Sequence, residues 1–205
     1  SRLVTRTLME YLLHSLALPF TTPRGSTPPP AEGLEAALRD GSQVANRALY
    51  EANQQAQADM GSTLVAALVA NDTAYIVNVG DSRGYVFDGE TLRRITADHS
   101  LVEQLIVSGM IPPEERYTHP NRNQIFRSLG NDPIVDLDIF TQKLKPGMRL
   151  LLCSDGLWEM TRDDELARIL RETPNVRAAC EALVKSANAN GGEDNITAVV
   201  VELAG

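Results

Sequence analysis

The sequence predicts an α+β domain in which antiparallel sheets are covered by paired helices. Two observations carry this reading. From Ser62 the hydrophobic period is no longer helical, and the strand-like runs that follow are separated by short turns. The helix-like runs come in pairs, and strands that form hairpins beside paired helices suggest a layered domain. At 205 residues, with 43% hydrophobic and 22% charged residues, the chain can bury a substantial single core.

Taken in order, Leu3, Val4, Leu8, Tyr11, Leu12 and Leu16 recur at helical spacing over residues 2–17, and Pro19 ends that helix. Residues 19–31 hold five prolines and read as a stiff, exposed loop, with a ligand for a proline-reading domain as the alternative. A second helix is expected from Glu32 to Ala58, with Leu34, Leu38, Val44, Ala45, Ala48 and Leu49 on its apolar face and a fraying end from Asn53. Thr63 to Ala70, Thr73 to Val79, Arg83 to Phe87 and Thr91 to Thr96 read as four strands of an antiparallel meander. A short helix from Leu101 to Ser108 precedes a long polar loop, residues 109–123. Val135 to Leu144 and Met148 to Cys153 read as a hairpin across Pro146-Gly147. Thr161 to Asp164 resembles a capping box for a helix through Glu172, and Asn175 caps another through Ala189. Ile196 to Leu203 is the last strand, and no internal repeat is present.

The chemistry lies in the acidic residues at strand ends. Asp155 closes the apolar run Leu150-Leu151-Leu152-Cys153-Ser154, and Asp194 precedes the run that ends in Ala198 to Val201. A carboxylate at the edge of a core needs a partner, and oxygen ligands suit hard cations such as Mg²⁺ or Mn²⁺. The plainer reading makes Asp155-Gly156 a turn and Asp194 a cap. Asp81, in Val79-Gly80-Asp81-Ser82-Arg83-Gly84, reads from the residues as a turn Asp bonding its own backbone or as the partner of Arg83 in an ion pair.

Together with Gly61-Ser62-Thr63-Leu64 and Asp98-His99-Ser100-Leu101-Val102, these motifs resemble, in order, the PP2C-like (PPM) metal-dependent serine/threonine protein phosphatases of bacterial type. The resemblance covers residues 1 to 203. It implies a four-layer αββα sandwich: two antiparallel sheets face to face, flanked by helix pairs, with metals at one end between the sheets. It makes residues 1–205 a single phosphatase domain and residues 109–123 its flap-like loop. It implies two Mg²⁺ or Mn²⁺ ions in a complete site, with a third in some relatives. Asp155 and Asp194 would share one cation, and Asp81 would hold the third with Asp155. Asn195, Gly156 and Ser154 would support them, and Glu159 would lie near the third metal or simply be solvated. The implied reaction is hydrolysis of phosphoserine or phosphothreonine by a metal-activated water. Phosphoprotein substrates and a serine/threonine kinase are the implied partners.

Family members also begin with strands carrying a phosphate-binding Arg and an Asp-Gly-x-Gly-Gly-His-like motif, whose Asp bridges two metals and whose His donates a proton. No such stretch occurs in these 205 residues. The chain opens on Ser1, so the expectation is an N-terminally truncated form. It retains no catalytic proton donor, can lack metal, is inactive as it stands, and exposes sheet edges through which it pairs as a homodimer. The rival reading is a pseudophosphatase or interaction module on the same fold. A two-metal nuclease is a third, disfavoured by charge.

Composition excludes other classes. A net charge of −8 argues against nucleic-acid partners. No apolar run is long enough to span a bilayer and no signal-peptide pattern opens the chain, which makes a cytoplasmic location the expectation. Cys153 and Cys180 read as small buried hydrophobes. His14, His99 and His119 read as structural, Gly61 as a core-packing residue, and Trp158 as an anchor for the Asp155 loop.

Overall fold

The computed structural model describes residues 1–16 and 31–203, so residues 19–30 of the Pro-rich loop lie outside the described residues. The elements are α1 (Arg2–Ser15), α2 (Ala31–Ala56), β1 (Leu64–Ala70), β2 (Thr73–Val79), β3 (Arg83–Phe87), β4 (Leu92–Arg94), α3 (Leu101–Val107), a 3₁₀ turn (Pro113–Tyr117), β5 (Asp138–Lys143), β6 (Arg149–Cys153), α4 (Asp155–Trp158), α5 (Asp163–Glu172), α6 (Val176–Ala189) and β7 (Ala198–Glu202). They group into two compact units, residues 1–80 with 127–141, and residues 81–126 with 142–205.

In the first unit, β1, β2 and β5 form a sheet in that order. β1 and β2 are an antiparallel hairpin, registered from Leu64 opposite Val79 to Ala70 opposite Thr73. Val4, Leu8 and Leu12 of α1 and Leu34, Leu38, Ala45 and Leu49 of α2 pack with Leu64, Tyr75, Val77 and Val79. Each such buried aliphatic side chain contributes about 1.5–3 kcal/mol relative to exposure. Val44, expected on this face, is 41% exposed. It precedes Ala45 by one residue, a rotation of about 100° that carries it off the buried stripe.

The α2 end expected to fray is instead tied down. The Asn53 amide donates to Met60 O at 2.9 Å and Gly130 O at 3.0 Å, and its Oδ1 accepts the Met60 N–H. Asn46 Oδ1 accepts the Gly130 N–H, while its amide donates to Asp132 O. Gln43 makes the same kind of two-way bond with Val135. Gly61, read as a core glycine, is exposed.

In the second unit the order is β4-β3-β6-β7, all antiparallel. The expected meander therefore breaks into two hairpins, because β2 and β3 belong to different sheets. Nor do β5 and β6 form a hairpin: β6 is bonded to β3 on one side and β7 on the other. Alternation of apolar residues marks a strand but does not name its neighbour. Tyr85, Phe87, Leu151 and Cys153 pack with Leu157, Trp158, Leu166, Ile169, Leu170, Ala179 and Leu183 from the helices.

Two arginine- and asparagine-based devices finish the helices. Arg149 donates to Leu170 O, Thr173 O and Pro174 O at the end of α5, where carbonyls lack helical partners, and pairs with Glu202 across the strand. Asn175 caps α6 as expected, accepting from the Arg177 and Ala178 amides. The capping box expected at Thr161 is absent: Arg162 is the N-cap with no side-chain bond, and Thr161 Oγ1 is buried without a partner. Asp163, Asp164 and Glu165 in the first turn favour the helix start electrostatically instead.

Gly130 has φ +96°, and a Cβ there would stand 2.7 Å from Met60 O and 2.8 Å from Leu49. Gly89 has φ +104° with nothing within 4 Å of such a Cβ. Gly130→Ala is therefore expected to destabilise by roughly 3 kcal/mol, from strain plus overpacking, and Gly89→Ala by about 1 kcal/mol from strain alone. Urea unfolding checks the order, and equal losses would contradict this account of Gly130.

Candidate metal centre

Sheet register alone brings the acidic residues to one rim. Arg83 of β3 lies opposite Cys153 of β6, and Cys153 lies opposite Ala198 of β7. Asp81 precedes Arg83 by two residues, Asp155 follows Cys153 by two, and Asp194 precedes Ala198 by four. In antiparallel neighbours all three leave the same end of the sheet.

Local bonds hold each in place. Asp155 opens α4, a single turn, and its Oδ1 accepts the Gly156 N–H at 2.9 Å. Ser154 Oγ donates to Asn195 O and accepts the Thr197 N–H, both at 3.0 Å, which extends the β6–β7 pairing toward Asp194. Gly156 lies hard against that loop: a Cβ would stand 2.6 Å from Asn195 O and 3.3 Å from the Asp194 carbonyl carbon. Asp194 Oδ1 accepts from both the backbone and the side-chain amide of Asn195. Trp158 Nε1 donates to Asp81 O at 3.0 Å.

The electrostatics are those of carboxylates without a counter-ion. Asp81 is 8% exposed, and its pKa is pushed up to about 7, first by burial and then by the charge of Asp155. The Asp155 pKa is also raised, by burial, with the Asp194 charge adding to it. Glu159 is raised by burial. None of Asp81, Asp155 and Asp194 forms an ion pair among the described residues. Among the described residues no three His, Cys, Asp or Glu side chains gather tightly enough to hold an ion together. Like charges repel: Asp81 feels the charge of Asp155, and Asp155 that of Asp194. The all-oxygen donor set fits a hard divalent cation in kind.

Arg83 does not pair with Asp81. It is bonded through Nε and Nη2 to Asp98 and through Nη1 to Tyr85, and its guanidinium stacks 3.3 Å from the centre of the Trp158 ring. Asp98 accepts from Arg94 as well, and Glu103 is held by Arg94 and Arg116. Sequence reading missed this network, although buried charges beside Asp81 and Asp98 were its visible trace. Residues 109–123 are not wholly irregular: they contain the 3₁₀ turn, and Arg122 stands 3.8 Å from Glu159 and 3.9 Å from Glu193. His99 is buried beside Phe126, and His119 Nδ1 accepts the Asn121 N–H, which are structural roles.

A family model described as protein phosphatase 2C matches residues 1–198. The chain is 41% identical over 174 residues to the serine/threonine phosphatase stp of Listeria welshimeri, covering 84% of this chain and 69% of that protein. It is 36% identical over 171 residues to the serine/threonine protein phosphatase PstP of Mycobacterium tuberculosis, covering 83% of this chain and 32% of that one. Among solved structures, serine/threonine phosphatase Stp1 from Staphylococcus aureus superposes with a TM-score of 0.83 at 34% identity, covering 96% of this chain and 77% of that chain. The catalytic domain of PstP in complex with two manganese ions superposes with a TM-score of 0.81 at 31% identity, covering 100% and 82%.

The raised Asp81 pKa has a sign. An unfolded Asp titrates near ~3.9, so between about pH 4 and pH 7 the native state holds a proton that the unfolded state has lost. Stability contributed by the protonated form is therefore lost as pH rises through that window. Asp81→Asn is expected to match the wild type near pH 4 and exceed it at pH 8 by on the order of 3 kcal/mol. Urea unfolding in EDTA at the two pH values measures this, and a pH-independent difference would contradict it.

Proposed function

Because the chain belongs to the protein phosphatase 2C family, bacterial type, we propose that it acts as a metal-dependent serine/threonine phosphatase domain. The observation that carries the reading is the convergence of Asp81, Asp155 and Asp194 at one sheet end with no protein cation paired to them. Asp155 and Asp194 hold one Mg²⁺ or Mn²⁺, and Asp155 with Asp81 holds another. A divalent cation supplies two things when bound: a coordinated water of lowered pKa and neutralisation of phosphate oxygens. Asn195 orients the Asp194 carboxylate, Ser154 fixes the loop that carries it, and Gly156 permits the approach of that loop to Asp155.

Residues 1–205 form one catalytic domain in this reading, supported by a family match that runs through both units, and residues 109–123 act as a flap beside the site. The substrates are phosphoproteins, written by a serine/threonine kinase, in the cytoplasm. No helix among the described residues is long and apolar enough to cross a membrane. Exposed Val69 on β1 and Val199 and Val201 on β7 support pairing of these outer strands with a second copy.

A second reading is a binding module on the same fold, and an Asp-Gly-x-Gly-Gly-His-like stretch joined to these residues is what tells the two apart. The two separate experimentally. The 205 residues alone are expected to bind Mn²⁺ weakly and to hydrolyse p-nitrophenyl phosphate near background. Joined to a relative's segment carrying that stretch, they turn it over with Mn²⁺, and Asp155→Asn or Asp194→Asn lowers the rate by ~100-fold or more. Unchanged turnover in both variants would remove the assignment of these ligands.

A further inference from the structure

The one-turn helix α4 carries two groups that face different loops. Its first residue is Asp155, and its last is Trp158, whose indole N–H bonds Asp81 O at 3.0 Å. Between them, Gly156 touches the Asp194–Asn195 backbone and Leu157 is fully buried. Trp158 itself is buried in the helix-side core, with one ring face on the Arg83 guanidinium. Arg83 is in turn locked by Asp98 and Tyr85. The indole therefore has almost no freedom, and neither has the carbonyl it binds.

We propose that Trp158 is the positioning residue of the carboxylate centre: through its N–H it fixes the turn bearing Asp81 at a set distance from Asp155. The inference rests on the metal reading above but adds a residue that touches no metal. The geometry supports it in three ways. The bond joins the two carboxylate-bearing segments directly, since Asp155 and Trp158 lie on one helical turn. It opposes the repulsion between Asp81 and Asp155, which otherwise drives the two loops apart. The indole N–H is a donor only, and a buried one needs an acceptor, which the Asp81 carbonyl supplies. Outer partners of this kind typically change metal affinity by 10–100-fold.

Trp158 is the sole tryptophan, which allows an isosteric test by biosynthetic replacement. Benzothienylalanine keeps the bicyclic ring and its stacking on Arg83 but replaces N–H by sulfur. 4-Fluorotryptophan keeps the N–H, and Trp158→Phe gives a genetic counterpart. Mn²⁺ affinity is read by electron paramagnetic resonance, and hydrogen exchange of the Asp81 and Ser82 amides is read without metal. The benzothienyl and Phe proteins are expected to bind Mn²⁺ at least ~10-fold more weakly and to exchange faster, with the fluoro protein like the unsubstituted one. If Trp158→Phe does not fold, the isostere decides alone. Wild-type Mn²⁺ affinity and exchange in the benzothienyl protein overturn the proposal. Absence of Mn²⁺ binding by the unsubstituted protein overturns the metal reading beneath it, and the exchange rates then decide whether Trp158 holds the turn.

Discussion

The acidic end of the second unit depends on how one buried guanidinium is neutralised. The Arg83 side chain is 1% exposed and cannot shed its proton, so it needs a full set of partners. Asp98, 2% exposed, supplies the charge, Tyr85 a further acceptor and Trp158 a π face. Asp98 then draws in Arg94, Arg94 draws in Glu103, and Glu103 draws in Arg116. Burial raises the Glu103 pKa, yet the two arginines outweigh it and hold that carboxyl below its usual range. Positive and negative groups alternate from Arg83 to Arg116. Because Arg83 is spent on Asp98, none of its donors reaches Asp81. The same choice that satisfies the arginine leaves Asp81 without an ion-pair partner among the described residues.

The two units solve loop attachment by different chemistry. In the first, Gln43, Asn46 and Asn53 project from one face of α2 and bond backbone groups of residues 130–135 and Met60 with neutral amides. Such bonds do not titrate, and each is worth about 1 kcal/mol net. In the second, arginines and carboxylates do the work, in a medium where an unmatched charge is costly. The carboxylates whose pKa burial raises, Asp81, Asp155 and Glu159, all lie in the second unit.

The sequence made local structure legible where a single physical signal decides it. β2 and β3 are recovered to the residue, and the Asn175 cap is correct, because a short apolar run between turn residues and a side-chain acceptor each act over a few residues. What failed was non-local. Nothing in Val79 to Arg83 reveals that the chain changes sheets there, and nothing in Pro146-Gly147 reveals that β6 is already claimed by β3 and β7. Thr161 has the right chemistry for a cap but is buried one residue too early. Asn53 looked like the start of a polar, fraying end because its acceptor, Gly130, lies 77 residues away. At the site, Asp155 and Asp194 were visible as carboxylates at the ends of apolar runs. The partner of Arg83 and the bond from Trp158 to Asp81 were not, since each joins residues that only the fold makes neighbours.

What the rim can do follows from the direction of its hydrogen bonds. Asp81, Asp155 and Asp194 present acceptors, and the donors around them are committed: Gly156 N–H to Asp155, the Asn195 amides to Asp194, and the Trp158 indole to the Asp81 carbonyl. Of the histidines of this unit, His99 is packed near Phe126 and His119 Nδ1 accepts the Asn121 N–H. Displacing an alkoxide from phosphorus requires a proton as well as a charge sink. Burial raises the pKa of Asp81 and of Asp155, and a cation beside them would act in the opposite direction. The same carboxylates therefore cannot be both the ligands and the acid. If the three carboxylates serve as ligands, the proton for such a displacement has to come from a group other than them.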